Sequence, residues 1–182
     1  MGLRDSYQDA ARRIGLILAE SKVDLAYGGG CVGLMGILAD ASLQNGGRVI
    51  GVIPEHLAAK EIAHTGLTEL RTVASMHERK ALMAELADAF VALPGGYGTF
   101  EEFCEMLTWS QLGLHRKPCG LLNVDHFYDG LLQMFDHAVH EGFVNPVFRE
   151  LVVDENDPAL LLKRLEEYQP PSVVKWVGPG QT

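Results

Sequence analysis

Cysteine is scarce in this 182-residue chain, represented by Cys31, Cys104 and Cys119 alone. Odd in number, widely spaced and without a C-x-x-C pair, they carry neither a disulfide framework nor a zinc or dithiol signature, and the expectation is reduced, packed thiols. Cys31 falls in a glycine turn, but a thiol nucleophile needs an adjacent base and none adjoins it. Basic residues are short as well: 15 Lys and Arg stand against 24 Asp and Glu, a formal net charge of −9. A general nucleic-acid binder needs a basic face from which counterions are released, so the balance argues against that class, and any phosphate site must be local. Uninterrupted apolar stretches long enough to cross a bilayer are missing. The opening residues MGLRDSYQDAARR carry charge and lack the apolar core of a secretory leader, so a cytoplasmic protein with no membrane partner is expected. The 7 histidines are scattered without an H-x-x-x-H pair or a carboxylate cluster, and no metal is implied.

What is present has the balance of a soluble globular protein, 47% hydrophobic and 21% charged. The length fits one domain, read as residues 1–168, with an irregular tail over 169–182 where Pro170, Pro171, Pro179 and Gly180 break all periodicity. Ala10, Ile14, Ile17 and Leu18 recur at helical spacing and predict a helix from Ser6 to Glu20. A strand from Val23 to Tyr27, a glycine turn from Gly28 to Gly33, a helix from Leu34 to Gln44 closed by Asn45-Gly46-Gly47, and a strand from Arg48 to Ile53 stopped by Pro54 follow in order. That order is a right-handed βαβ unit. Residues 55–70 are irregular, with a brief strand at Thr72-Val73 and a helix from Met76 to Leu86 after them. Further strands are expected at Phe90 to Leu93, Gly120 to Val124 and Leu151 to Val153, with helices from Thr99, from Phe127 to Glu141 and from Pro158 to Tyr168. The alternation predicts an α/β, Rossmann-like fold: a mostly parallel sheet with helices on both faces.

Two glycine turns carry the chemistry. In DAFVALPGGYGTFEE, Asp88 to Glu102, an apolar strand runs into Pro94, and Gly95, Gly96 and Gly98 leave bare backbone where a ligand must come close. Thr99 opens a helix whose free N–H groups would point at an anion. The same residues also read as a Thr99-x-x-Glu102 capping box, a purely structural arrangement. Gly28, Gly30 and Gly33, with Gly29 between them, fit G-x-G-x-x-G after a strand and before a helix. A dinucleotide site would put an acid at the end of the following strand, and Val49 to Pro54 has none, Glu55 falling beyond the proline. NAD binding is disfavoured; a mononucleotide phosphate or ribose stays open. Arg79 and Lys80 place two cations near the start of a helix, the end where positive charge is electrostatically unfavourable, which function would justify and a solvated basic pair would also explain.

YGGGCVGLMG, VIGVIP, HTGLTEL, MHERKALMAELADAFVALPGGYGTFEE and TWSQLGLHRKPCGLLN follow one another as in the LONELY GUY (LOG) family, which the chain resembles from Tyr7 to about Leu151. Members often carry the label "possible lysine decarboxylase", yet the family's activity is hydrolysis of the N-glycosidic bond of cytokinin riboside 5'-monophosphates to free base and ribose 5-phosphate. Nothing in the sequence favours lysine decarboxylation, which needs pyridoxal phosphate on a lysine Schiff base. The resemblance implies Arg79 and Glu102 as the catalytic pair, with Lys80 beside Arg79 contributing to the ligand site. It implies Gly95, Gly96, Tyr97, Gly98, Thr99, Phe100 and Glu101 as the loop that takes phosphate and ribose. Glu61 and Thr108 match further ligand contacts, Glu61 toward the base. No cofactor is implied.

Members also begin with one more strand, ending in a Gly-Ser-Ser turn, so the resemblance implies a sheet lacking that first strand. They form homodimers with the pocket near the subunit interface. Met83, Phe103, Met106, Leu107 and Trp109 would supply apolar surface for that contact or equally belong to the core. A non-catalytic nucleotide-binding or carrier protein of the same fold is the alternative reading, since fold does not settle function.

Overall fold

A computed structural model describes residues 2–58 and 63–172. The chain divides into two compact units, Met1–Ala87 and Asp88–Thr182. The expected parallel sheet is present as two three-stranded parallel sheets, ordered β1-β2-β3 in the first unit and β4-β5-β6 in the second.

The first unit opens with α1 (Asp5–Glu20), then β1 (Leu25–Tyr27), α2 (Gly33–Gln44), β2 (Val49–Pro54), the single turn α3 (Glu55–Leu57), β3 (Glu69–Val73) and α4 (Met76–Leu86). The apolar spacing of α1 buries Ala10, Ala11, Ile14, Leu18 and Ala19 on one face. Gly15 lets α2 approach to backbone distance, since a Cβ there would meet the Leu38 carbonyl oxygen at 2.6 Å. All six residues of β2 are buried, as a near-continuous apolar run in the middle of a parallel sheet requires. Its register sets Tyr27 opposite Gly51 and Pro54 opposite Val73. Pro54 ends the strand as its last paired residue, where a missing N–H costs least.

β3 starts at Glu69, earlier than its polar sequence suggests. It is an edge strand, and its alternation of half-buried and exposed residues is held by charge: Arg48 Nη2 contacts Glu69 at 2.7 Å while Nη1 reaches Asp24 at 2.6 Å, and Arg71 Nε lies 2.7 Å from the other Glu69 oxygen.

In the second unit come β4 (Phe90–Ala92), α5 (Tyr97–Gln111), β5 (Cys119–Leu122), a 3-10 turn (Val124–His126), α6 (Asp129–His140), α7 (Pro146–Arg149), β6 (Val152–Glu155) and α8 (Pro158–Glu166). β5 is buried throughout, with Gly120 lying under Leu161 and Leu165 of α8. α7 and α8 share one start signal: Asn145 and Asp157 accept backbone N–H bonds from the first turn, and Pro146 and Pro158 follow them. α7 was missed in the sequence because four residues show no periodicity. Phe103 and Met106 on α5 are core, 5% and 7% exposed, so that part of the anticipated contact surface is spent inside the unit. Among the described residues, no helix is long and apolar enough to cross a membrane.

Below β4 and β5 a polar knot closes the unit. Asn123 Oδ1 accepts from the Tyr128 backbone N–H at 2.7 Å and Asn123 Nδ2 donates to Asp129 at 2.8 Å. The Tyr128 hydroxyl donates to the Leu93 carbonyl, 35 residues away, at 2.5 Å. Burial pushes the Tyr128 phenol far above its ordinary value, so it stays a donor. His115 is placed similarly: Nδ1 accepts from the Lys117 backbone N–H at 3.1 Å, which leaves Nε2 to donate to the Met106 carbonyl at 3.0 Å. Burial, then nearby Lys117, holds this imidazole below its usual range.

Two outcomes follow for stability. Tyr128→Phe strands the Leu93 carbonyl and should cost about 1–2 kcal/mol in urea unfolding, without changing the m-value. For His115 the unfolded chain takes up a proton near the ordinary histidine value while the folded chain resists it, so stability present above about pH 6.5 is lost as the pH falls below it. His115→Gln should flatten that slope in unfolding midpoints measured from pH 7 to 5.

Candidate active site

Both glycine turns leave the C-terminal end of a parallel strand and lead into a helix, the place where open α/β sheets bind ligands. Each is built differently.

In the first unit the turn over residues 28–33 is buried through Gly30 and exposed at Cys31 and Val32. Gly29 and Gly33 adopt φ of +73° and +67°, the left-handed region in which a side chain is strained. The buried Tyr27 hydroxyl donates to the Gly30 carbonyl at 3.2 Å and closes the turn, its phenol pushed up by burial and then by Asp40 and Cys31. Gly28 lies directly beneath Arg79: a Cβ there would stand 1.9 Å from Nη2. Arg79 is fixed in that position by Nε, which donates to the Val52 carbonyl on β2 at 3.2 Å, and by Nη1 beside the Met76 sulfur at 3.8 Å. Arg79 thus lies over the first glycine turn, a neighbour that the family resemblance did not assign to it.

α4 begins at Met76 with Ser75 as its N-cap. Ser75 Oγ accepts from the Glu78 N–H at 3.2 Å, and Glu78 Oε2 reaches back to accept from the Ala74 N–H at 2.9 Å. This reciprocal exchange satisfies two donors at the helix start and offsets the positive charge that follows. Lys80, next in the helix, is 8% exposed, the one buried cation among the described residues. Arg79 is half-buried. The solvated-pair reading of these two residues is therefore corrected: burial of a lysine is costly, and surface solvation does not explain it.

In the second unit β4 ends at Ala92, Leu93 and Pro94 continue inward, and α5 begins at Tyr97 with Gly96 as its N-cap. Thr99 stands inside the first turn of α5, so the Thr99-x-x-Glu102 capping box does not form, and the N-cap residue Gly96 brings no side-chain cap. Instead Thr99 folds back on Gly95, where a Cβ would lie 2.2 Å from Oγ1. Gly96 and Gly98 present the opposite case: a Cβ at either would meet nothing within 4 Å, so packing does not demand glycine there. Uncapped N–H groups beside bare, unobstructed backbone are what an oxyanion needs to come close.

The other expected contacts divide. Tyr97 is 91% exposed beside the turn, and Glu101 is exposed while Glu102 is half-buried on α5. Phe100 packs into an aromatic group with Phe127 and Tyr128, ring centroids 6.5 and 6.4 Å away, and so also braces the loop. Thr108 lies about 16 Å along the α5 axis from Tyr97 at 1.5 Å per residue, its hydroxyl donating to the Cys104 carbonyl at 2.8 Å. Glu61 lies outside the described residues. Sequence reading gave no role to Tyr27, whose part depends on a bond to turn backbone that no spacing reveals.

Residues 35–165 match the family described as "Possible lysine decarboxylase". The chain is 52% identical over 169 residues to the cytokinin riboside 5'-monophosphate phosphoribohydrolase LOG7 of Arabidopsis thaliana, covering 93% of this chain and 78% of that protein. It is likewise 52% identical to the cytokinin riboside 5'-monophosphate phosphoribohydrolase LOG of Oryza sativa subsp. japonica, covering 93% and 70%. Among solved structures, the molybdenum cofactor binding protein of Rippkaea orientalis superposes with a TM-score of 0.69 at 19% identity, covering 90% of this chain and 88% of that one. The molybdenum cofactor carrier protein of Chlamydomonas reinhardtii gives 0.67 at 20%, covering 91% of each. At such identities the structural likeness shows the fold alone.

The space over Gly28 can be probed directly. Gly28→Ala displaces only the end of a flexible side chain and should leave the melting temperature within about 2 °C, while AMP binding by calorimetry weakens about tenfold. Gly36→Ala is the contrasting case, its Cβ meeting the Cys31 carbonyl oxygen at 2.1 Å, and should cost about 1–3 kcal/mol of stability.

Proposed function

Because this chain belongs to the family described as "Possible lysine decarboxylase", the family of the LOG phosphoribohydrolases, we propose that it hydrolyses the N-glycosidic bond of cytokinin riboside 5'-monophosphates, and of AMP, to free base and ribose 5-phosphate. The observation that carries this reading is the pair Gly96 and Gly98, glycines that packing does not require, at an uncapped helix N-terminus following a parallel strand. Selection for a close-approaching phosphate supplies the missing reason.

Cleavage of the bond passes through a transition state with positive charge at C1′ and the ring oxygen. In the proposed mechanism the Glu102 carboxylate stabilises that charge and orients the attacking water, accepting its proton as the new C–O bond forms. The C1′–N electron pair leaves with the base, which takes up a proton. Amides of Gly95 to Thr99 hold the 5′-phosphate with the α5 dipole behind them, and Arg79 binds phosphate or ribose with Lys80 adding charge. Tyr97, Phe100 and Glu101 shape the loop, while Glu61 and Thr108 serve as further ligand contacts, Glu61 at the base. A homodimer with the pocket near the subunit interface belongs to the same proposal.

Incubation with AMP and with isopentenyladenosine monophosphate, followed by chromatography of free base and ribose 5-phosphate, tests this reading. Glu102→Gln should reduce turnover by about two to four orders of magnitude while AMP binding persists in calorimetry. Unchanged release by that variant would overturn the assignment.

A further inference from the structure

Successive glycines hold a turn poorly, because each has the most backbone freedom to lose on ordering. Gly28, Gly29 and Gly30 are such a run, yet the Arg79 guanidinium rests on its first residue, Gly28. The bracing comes from residues 63–66. The His64 N–H donates to the Gly29 carbonyl at 2.9 Å, and Ala63 forms an antiparallel bridge with Gly30. The His64 side chain in turn fixes this segment at both ring nitrogens. Nδ1 accepts from the Gly66 N–H at 3.0 Å, so it carries no proton and the neutral ring bears its hydrogen on Nε2. Nε2 lies 2.9 Å from Asp40 Oδ1 on α2, a charge-assisted bond from a ring only 12% exposed. One imidazole thereby ties helix α2 to the segment that lies along the glycine turn.

We propose that the His64–Asp40 pair is a clasp that holds residues 63–66 on the first glycine turn and so fixes the surface on which Arg79 presents its guanidinium, which makes His64 a positioning residue for the phosphoribohydrolase reaction. The inference rests on the function proposed above through the role of Arg79. Its energetic signature follows from that role. Arg79 holds the substrate's phosphate or ribose, groups present in ground and transition state alike, so loosening its support weakens binding rather than the chemical step.

Three substitutions at one position separate the two halves of the clasp. His64→Ala removes both. His64→Asn retains an acceptor for the Gly66 N–H, as an Asx turn does, but does not reach Asp40. His64→Gln places an amide N–H where Nε2 was. In His64→Ala the KM for AMP should rise about tenfold, the scale of one hydrogen bond to an ionised group, with kcat within about threefold of the unsubstituted chain. His64→Gln should recover most of that loss and His64→Asn little of it. Asp40→Ala should reproduce the effect, and Asp40→Ala with His64→Ala should cost no more than either alone. Hydrogen exchange at the His64 and Gly66 amides should speed up in His64→Ala without a matching fall in melting temperature.

The same variants are read by AMP dissociation constants from calorimetry, so absence of turnover in the unsubstituted chain would overturn the reaction reading while leaving the clasp testable. Equal KM and dissociation constant in His64→Ala and the unsubstituted chain would overturn the clasp. So would a loss confined to kcat and melting temperature, or rescue by His64→Asn equal to that by His64→Gln.

Discussion

The Arg79 guanidinium fills the space that any side chain on Gly28 would need, and much of the first unit is arranged to make this possible. Its Nε hydrogen bond to Val52 uses a carbonyl on a strand buried along its whole length, a support that cannot shift without disturbing the core. α4 has to start at Met76 for its fourth residue to face that strand, and the Ser75 and Glu78 exchange with backbone N–H groups sets that start. Gly29 must be glycine twice over: its φ is +73°, and a Cβ would press on Ile53 and Leu70 at 3.3 Å. The cationic group and the turn beneath it are therefore one constraint seen from two sides.

The second unit answers a different demand with similar parts. Here the chain's own side chain covers only Gly95, through Thr99, and leaves Gly96 and Gly98 uncovered. Rigidity comes from behind: Phe100 joins the aromatic group of Phe127 and Tyr128, and Tyr128 grips the Leu93 carbonyl just before the turn. A preorganised cradle of backbone amides loses little entropy when an anion arrives, which is the physical advantage of bracing a loop whose outer surface stays bare.

How much of this the sequence discloses depends on the range of the interaction. The V-I-G-V-I-P run announces a buried parallel strand, and the spacing of Ile14 and Leu18 announces α1, because both signals are local and apolar. β3 is harder to read, since its Glu69 takes one cation from Arg71 on the same strand and another from Arg48, 21 residues earlier in the chain. The capping motif was legible but ambiguous: Thr99-x-x-Glu102 and Ser75-x-x-Glu78 have the same spelling, and only the preceding backbone decides which one caps. His64 and Asp40 stand 24 residues apart, one in an irregular segment and one on a helix face, and no periodicity links them. The two glycine turns and Arg79 were legible because their spacing is short and their residue types rare in that combination.

The hydrogen bond from Tyr128 to Leu93 spans 35 residues, and it has a temporal consequence for a chain made from its N-terminus. Phe90 pairs with Cys119 and Cys119 with Val152, whereas the pairings of the first unit, Leu25 with Val49 and Ile50 with Glu69, close shorter loops. Shorter loops lose less entropy on closing and form sooner. During synthesis the first sheet can assemble while the ribosome still holds the residues that complete the second. The bare backbone at Gly96 and Gly98 then waits, without its rear brace, for every residue through Tyr128 to emerge, so the interval in which that loop is exposed to mispairing is set by translation speed across α5 and β5.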